Sequence, residues 1–135
     1  MRFAELSVGQ SAEVTRTIRD DDIHHFAELC GDYSAMHFDE TYAATTRFGG
    51  RIGHGLLTAS LLSTVLGMHL PGKGTIYRSQ TLRFTAPVYP GDTITARAVI
   101  TALVPGKRRV TLETTCVNQR GDLVLDGQAE MLMLE

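Results

Sequence analysis

Residues 55–70 read GLLTASLLSTVLGMHL and contain no Asp, Glu, Lys or Arg. Apolar side chains cover nearly every face of the helical wheel of this stretch, a pattern typical of a helix that is buried on most sides. These side chains are Leu56, Leu57, Ala59, Leu61, Leu62, Val65, Leu66 and Met68. The stretch therefore predicts a central helix, and the rest of the chain must supply the surface that covers it.

The chain after this helix carries three turn signals, which are Pro-Gly-Asp at 90–92, Pro-Gly-Lys at 105–107 and Arg-Gly-Asp at 120–122. Turn residues at such intervals between β-rich segments indicate hairpins. Three hairpins predict four antiparallel strands. The last strand, residues 123–133, shows the clearest period of two, with Leu, Leu, Gly, Ala, Met and Met on one face. That face is predicted to lie in the core.

Two shorter helices are predicted before the central one. Asp20, Asp21 and Asp22 suit the positive end of a helix dipole and predict a helix that begins there and ends at Gly31. Asp39 is a typical N-cap residue, and it predicts a second short helix over residues 40–45.

A buried helix covered by an antiparallel sheet is an α+β arrangement, and here the sheet is predicted to wrap around the long central helix as in the hot-dog fold. A β-rich segment near Thr15 is expected to extend that sheet. No repeat or low-complexity tract interrupts the sequence, so residues 1–135 are predicted to form a single domain. A free sheet edge in so small a domain favours pairing with a second copy, and we expect a homodimer or a higher homo-oligomer.

The charge composition disfavours a dedicated nucleic-acid binder. The 135 residues include 13 Lys and Arg against 15 Asp and Glu, which gives a formal net charge of −2. No strong positive field exists to hold DNA, RNA or an anionic membrane. The basic residues 107–109 lie at a predicted hairpin turn, where charged side chains are usually solvated, and they are not assigned to a site.

Cys30 and Cys116 have neither metal-type spacing nor a Cys-rich context, so we expect two reduced, mostly buried thiols. The first residues contain Glu5 and lack the apolar core of a secretory signal, and a cytoplasmic protein is expected. Residues 52–72 lack charged side chains, but glycines before the helix and Pro-Gly after it leave a helix too short to span a membrane. No membrane partner is therefore expected.

The first candidate site is the segment 30–37, interpreted as a loop between two helices, which places Asp32 and His37 five positions apart. A carboxylate and an imidazole can act together as general base and general acid. Taken alone, an Asp and a His on one loop are more often solvated or capping residues. Tyr33 and Met36 flank the pair, and they either line a pocket or pack the loop.

The second candidate site is Ile52-Gly53-His54-Gly55, which directly precedes the central helix. Free amides and the positive dipole end at a helix N-terminus can hold an oxyanion, and the Gly55 amide is the expected donor. The alternative is a plain helix start with a tight bend, in which His54 is a semi-buried histidine. Ser63 lies about two turns further along the helix. Its hydroxyl either orients the acid–base pair or bonds to its own helix.

Taken together, these blocks make the chain similar to a known family, the (R)-specific enoyl-CoA hydratases of the MaoC-like dehydratase group, which have a single hot-dog fold. The resemblance covers nearly the whole chain. It rests on short motifs at matching spacing, which are Gly31-Asp32, His37-Phe38-Asp39, Ala43 to Phe48, Ile52 to Leu57, Leu82-Arg83-Phe84, Pro87-Val88 and Gly91-Asp92. Three positions depart from the family pattern, since Ser34-Ala35 stands where Asn-Pro or a similar pair is usual and Gly53 where Ala or Val is usual.

The resemblance implies a hydro-lyase that adds water reversibly to trans-2-enoyl-CoA to give (R)-3-hydroxyacyl-CoA. It implies Asp32 and His37 as the catalytic dyad, and Gly55, His54 and Ser63 are expected to hold the oxyanion and the substrate. Coenzyme A is then part of the acyl-CoA substrate, and no metal or other cofactor is expected. Such an activity belongs to fatty acid metabolism, in β-oxidation or in the supply of polyhydroxyalkanoate precursors. The alternatives are a dehydratase that acts on carrier-protein thioesters and a non-catalytic subunit that binds acyl-CoA.

Overall fold

The computed structural model describes residues 1–134, which form one six-stranded antiparallel sheet and four α-helices. In chain order, the elements are β1 (Ser11–Thr17), α1 (Asp20–Cys30), α2 (Ala35–Phe38), α3 (Glu40–Ala44), α4 (Gly55–Thr64), β2 (Thr75–Gln80), β3 (Arg83–Phe84), β4 (Thr93–Val104), β5 (Arg109–Val117) and β6 (Leu123–Met133). A π-helical turn, Val65–His69, continues α4, and single 3₁₀ turns lie at Phe3–Glu5 and Pro105–Lys107.

The sheet has the strand order β1-β4-β5-β6-β2, and the short β3 also pairs with β6. β1 pairs with β4 along its whole length, from Ser11 to Thr17, so the N-terminal segment extends the sheet as predicted. The turns at 105–107 and 120–122 join β4 to β5 and β5 to β6. Two of the three predicted hairpins are therefore confirmed.

The third predicted hairpin, at 90–92, is wrong. β2 and β3 precede this turn and pair with β6, whereas β4 follows it and pairs with β1 and β5. Residues 85–92 therefore form a crossover between strands that are not neighbours. Buried Asp92 fixes its end, because its carboxylate accepts hydrogen bonds from the amide of Tyr89 and from the side chain of Gln119, each at 2.9 Å. The Pro-Gly-Asp sequence indicates a turn but not the strands that the turn joins.

The hot-dog arrangement of a sheet around a central helix is confirmed, with α4 and the π-helical turn forming that helix. Leu62, Val65 and Leu66 are fully buried in the core. The prediction that the helix is buried on most sides is wrong, because Leu56 is 59% exposed and Met68 is 73% exposed. α4 packs against β4 and β5, and the sheet covers only the helix face that is turned toward it.

The two short-range helix signals before α4 are confirmed. α1 begins at Asp20 and is followed by Gly31, whose φ of 84° lies in the left-handed region that ends many helices. The Asp39 carboxylate accepts a hydrogen bond from the amide of Tyr42 at 2.9 Å and caps α3. Both signals act within a few residues, which is why the sequence alone reveals them.

The central helix was predicted to be too short to span a membrane. Within residues 1–134, no helix combines the length and the apolar character needed to cross a membrane. The uncharged stretch 52–72 instead forms α4 and the turn that follows it.

The two cysteines differ in exposure. Cys116 on β5 is buried, and this burial raises the pKa of its thiol to about 12. Cys30 is exposed, so the expectation of two mostly buried thiols is wrong for this residue. It is the last residue of α1, where the chain leaves the helix at Gly31, and its side chain lines an open pocket instead of the core. Both thiols are free, as predicted.

We expect the native protein to have one thiol that reacts with iodoacetamide near neutral pH. The thiolate is the nucleophile, so buried Cys116, with a pKa of about 12, stays protonated and unreactive while Cys30 is alkylated. Mass spectrometry should show one modified cysteine in the folded protein and both after unfolding. The variant Cys30→Ser should remain unmodified when folded. Modification of Cys116 in the folded wild type would contradict its burial.

Candidate active site

A pocket of about 640 Å³ lies between α1, α2, the start of α4 and the crossover after β3. Its lining includes four of the five predicted site residues, which are Asp32, His37, His54 and Gly55. Apolar side chains form much of the remaining wall, among them Phe26, Phe48, Ile52, Leu56, Val88 and Val124. Apolar walls with a few convergent polar groups are typical of a small-molecule site.

His37 lies on α2, a single helical turn, where the sequence had predicted a loop. The turn closes because the amide of His37 donates to the carbonyl of Ser34 at 3.0 Å. Nδ1 of His37 lies 2.7 Å from the carbonyl oxygen of Ile52. A carbonyl only accepts, so Nδ1 carries the proton, and Nε2 of the neutral ring has the free lone pair. Nε2 lies 3.9 Å from Oδ2 of Asp32, so the reactive nitrogen is directed at the carboxylate.

Asp32 follows the left-handed Gly31, and its side chain is half exposed. Its Oδ1 accepts a hydrogen bond from the amide of Ser34 at 3.1 Å. This backbone hydrogen bond is the main cause that holds the pKa of the Asp32 carboxyl below its usual value, and the charge on protonated His37 lowers it further. Asp32 is therefore a carboxylate at neutral pH, able to accept a proton.

His54 is the N-cap residue of α4 and is only 3% exposed. Its Nε2 lies 2.8 Å from the carbonyl oxygen of Asp32 and donates its proton there. The ring stacks on that of His37, with ring centroids 3.8 Å apart. Its Nδ1 has no hydrogen-bond partner among the residues that the structure describes. His54 thus holds the main chain at Asp32 and forms the wall behind the His37 ring.

Gly55 is the first residue of α4, and within residues 1–134 its amide has no acceptor. The first amides of a helix have no intrahelical partners, and the positive end of the helix dipole lies beside them. A Cβ at this position would lie 2.6 Å from Cε1 of Phe84. Glycine therefore lets the Phe84 ring pack against the helix start. The amide remains a free donor in the pocket lining.

The structure does not bring Ser63 to this group. Ser63 is exposed and lines a separate depression of about 390 Å³ between α4 and β2, together with Tyr77 and Arg78. Eight residues along an α-helix correspond to two turns and a further rotation of about 80°. Ser63 therefore does not share a helix face with Gly55, and within the described chain it has no contact with the acid–base pair.

Two further residues that flank the pair lie outside the pocket lining. Tyr33 is 59% exposed, and Met36 is half-buried. Neither belongs to the lining residues of the pocket. The sequence left open whether these residues line a pocket or pack the loop. Met36 fits the second interpretation, because its carbonyl accepts a hydrogen bond from the amide of Ile52 at 3.1 Å.

Sequence reasoning missed Arg51, which contacts the main chain of His37. Its Nε–H donates to the His37 carbonyl oxygen at 2.6 Å, and one of its terminal nitrogens lies 2.5 Å from Oδ1 of Asp20. These contacts join residues 14 and 31 positions apart. No periodic or local pattern in the sequence signals such pairs. The packing of Phe84 against the start of α4 was missed for the same reason.

Asp32, His37 and His54 each place one potential ligand atom within 4.8 Å of the others. A carboxylate and two imidazoles are donors that several divalent metals accept. One nitrogen of each histidine already lies at hydrogen-bond distance from a carbonyl oxygen, so each ring could offer only its other nitrogen. That the site works without a metal stays a prediction.

Comparison with known proteins gives concordant matches over nearly the whole chain. The family described as MaoC like domain matches residues 4–121. The chain is 47% identical over 131 residues to the (R)-specific enoyl-CoA hydratase of Rhodospirillum rubrum. The matched residues make up 97% of this chain and 90% of that protein. It is 37% identical to the mitochondrial 3-hydroxyacyl-[acyl-carrier-protein] dehydratase FERN of Solanum lycopersicum, over 95% of this chain and 78% of that protein.

Among solved structures, the (R)-hydratase from A. caviae, described as involved in PHA biosynthesis, superimposes with a TM-score of 0.92 at 42% identity. The match covers 96% of this chain and 98% of that one. The shared fold, the family match and these identities lead to one conclusion: the chain belongs to the family of MaoC-like dehydratases.

Proposed function

We propose that this protein is an (R)-specific enoyl-CoA hydratase, which adds water reversibly to trans-2-enoyl-CoA to give (R)-3-hydroxyacyl-CoA. The observation that carries the proposal is the Asp32 carboxylate 3.9 Å from Nε2 of His37, in a pocket that Gly55 also lines. A base, an acid and an oxyanion donor are the three groups that this reaction needs. The 47% identity to an enzyme named for the reaction supports the proposal.

The acid–base steps are divided between Asp32 and His37. Asp32 takes a proton from water while the water oxygen forms its bond to C3 of the enoyl group. His37, in its imidazolium form, gives its Nε2 proton to C2. Asp32 is then protonated and His37 is neutral, and transfer of the proton from Asp32 to Nε2 of His37 restores the starting pair. The net change is the addition of one water, and the protonation states belong to the coupled pair.

The Gly55 amide stabilises the negative charge that develops on the substrate. As oxygen adds to C3, the π electrons move toward the thioester oxygen, which gains enolate-like negative charge. A backbone N–H at a helix N-terminus stabilises such a charge through its hydrogen bond and through the helix dipole. Protonation at C2 then restores the thioester carbonyl.

No cofactor is required by these steps, since each one moves a proton or an electron pair between water, substrate and side chains. Coenzyme A enters only as part of the substrate. We therefore expect turnover of enoyl-CoA by the protein without an added metal or redox group.

The runner-up is the same chemistry on a carrier-protein thioester, run as a dehydration. The relative that carries this name is 37% identical, against 47% for the CoA-dependent one, which favours CoA. A comparison of crotonyl-CoA with a crotonyl group on a carrier protein separates the two. A non-catalytic acyl-CoA-binding subunit is disfavoured because a binder has no use for a matched acid–base pair.

The cellular setting is also part of the proposal. Both cysteines are free thiols, as expected in a reducing compartment such as the cytoplasm. The A. caviae relative is described as involved in PHA biosynthesis. Supply of (R)-3-hydroxyacyl-CoA for polymer synthesis and a step in β-oxidation are both consistent with a reversible hydratase.

A homodimer is proposed from the surface that α4 and β2 leave uncovered. Leu56 and Met68 on the helix and Tyr77 on the helix-facing side of β2 are all at least 40% exposed. β2 is also an edge strand of the sheet. An apolar face beside a free strand edge is typical of an interface between copies.

Asp32→Asn is expected to lower kcat by about 10²- to 10⁴-fold, because general base catalysis typically contributes that much. The fall in ultraviolet absorbance of crotonyl-CoA measures turnover, and chiral analysis of the product tests the (R) configuration. Asp21→Asn is the matched control, since Asp21 is an exposed carboxylate on α1 outside the pocket. Normal turnover by Asp32→Asn would remove Asp32 from the mechanism.

Gly55→Pro is expected to reduce kcat by about 10²-fold or more, because it removes the proposed oxyanion donor. Proline is tolerated at the first position of a helix, and His54 before it, with φ −64° and ψ 133°, already has a conformation that suits proline. Gly55→Ala is the matched control, since it adds the same Cβ against Phe84 but keeps the N–H. Equal turnover of the two variants would argue against the amide.

Tyr77→Lys is expected to convert the dimer to monomers, because it places a charge in the proposed interface. Sedimentation equilibrium should give a dimer of the 14.8 kDa chain for the wild type. Val8→Lys serves as the control, since Val8 is 62% exposed and precedes β1. A monomeric wild type would refute the proposed dimer.

A further inference from the structure

Arg51 connects the start of α1 with the segment that carries His37. Its Nε–H donates to the carbonyl oxygen of His37 at 2.6 Å, and a terminal nitrogen of the same guanidinium lies 2.5 Å from Oδ1 of Asp20. The guanidinium also lies over the ring of Phe38, 5.7 Å from its centroid. The side chain is only 18% exposed. One partly buried guanidinium therefore holds two separate parts of the chain together.

His37 requires such support because α2 is a single turn, Ala35–Phe38. A helix this short has no stability of its own, and the carbonyls of its last turn have no partners within the helix. The His37 carbonyl is one of these, and Arg51 supplies its donor. Ile52, which follows Arg51 in the chain, accepts through its carbonyl oxygen the hydrogen bond from Nδ1 of the His37 ring. Two consecutive residues thus hold His37 by its main chain and by its ring.

The ion pair of Arg51 differs from that of Arg16, which also involves an Asp in the first turn of α1. Arg16 lies 2.8 Å from Asp22, but its side chain is 58% exposed, and its hydrogen bond within residues 1–134 goes to that carboxylate alone. Exposed pairs of this kind contribute little. Arg51 is more shielded, and the planar fork of its guanidinium presents two donors in fixed directions, which lysine cannot do.

We infer that Arg51 is a positioning residue for the hydratase reaction, which fixes the main chain at His37 so that Nε2 stays directed at Asp32 and the substrate. Asp20 in turn fixes Arg51. The inference rests on the proposed function, since it assigns Arg51 a role in the reaction of the same site. A displacement of a catalytic group by about 1 Å can cost about 10²-fold in rate, so a contact outside the pocket lining can control turnover.

The first test compares Arg51→Met, Arg51→Lys and Arg16→Met with crotonyl-CoA as substrate. Arg51→Met should lower kcat by about 10- to 100-fold and leave KM within about twofold, as expected when substrate binding is intact. Arg51→Lys, which can reach only one of the two acceptors, should recover part of the loss. Arg16→Met should keep the wild-type kcat although it also removes an ion pair from α1. Equal kcat values for Arg51→Met and Arg16→Met would overturn the inference.

Asp20→Asn tests the second link and serves as the alternative variant if Arg51→Met does not fold. It should lower kcat by a smaller factor than Arg51→Met. In the Arg51→Met background it should have no further effect, because members of one contact chain are not additive. Additive losses would mean that Asp20 acts by another route, such as His24, which lies 3.3 Å from its Oδ2. That result would overturn the Asp20–Arg51–His37 connection.

A measurement without turnover separates this inference from the proposed function. The ¹⁵N chemical shifts of the His37 ring report its tautomer, and Nδ1 should be the protonated nitrogen of the neutral wild-type ring, since it donates to Ile52. Arg51→Met should shift the ring toward the tautomer mixture of a free imidazole, and Arg16→Met should not. An unchanged tautomer in Arg51→Met would overturn the positioning role. A changed tautomer in a protein that hydrates no enoyl thioester would refute the proposed function alone.

Discussion

The site depends on a set of hydrogen bonds between the segment that precedes α4 and the segment that follows α1. The amide of Ile52 donates to the carbonyl of Met36 at 3.1 Å, and the carbonyl of Ile52 accepts from the ring of His37 at 2.7 Å. The ring of His54 donates to the carbonyl of Asp32 at 2.8 Å. Each of these contacts involves a main-chain group, so together they fix the backbone that carries Asp32 and His37. A half-exposed carboxylate and a one-turn helix would otherwise have no defined relative geometry.

The crossover after β3 holds this arrangement against the sheet. The amide of Gly53 donates to the carbonyl of Val88 at 2.6 Å, and the hydroxyl of Tyr89 donates to the carbonyl of Phe48 at 2.7 Å. Asp92 closes the end of the crossover through its own hydrogen bonds. The segment interpreted from sequence as part of a hairpin is therefore a support of the pocket. Its route past the helix start explains why it does not continue directly into a neighbouring strand.

The features that the sequence predicted depend on short-range interactions, and most of those that it missed depend on long-range ones. The Asp39 cap and the end of α1 at Gly31 depend on residues a few positions away, and both were predicted. The family resemblance also grouped Asp32, His37 and Gly55 in one site, which spacing alone could not do, and all three residues line one pocket. The contacts of Arg51 reach across 14 and 31 positions, and the position of Ser63 depends on helix rotation. The contacts of Arg51 could not be read from a local pattern, whereas the rotation of about 80° that separates Ser63 from Gly55 follows from their spacing along the helix.

The pocket lining is divided between two parts of the chain, with a consequence for how such proteins diversify. Asp32, His37 and Gly55, for which the acid–base and oxyanion roles are proposed, come from residues 32–55, whereas Phe84 to Val88 and Val124 line the same pocket from the crossover and β6. Substitutions in the second group can reshape the space for an acyl chain while the first group keeps its geometry. After gene duplication, copies of this chain can thus diverge in the length of acyl chain they accept and retain one reaction.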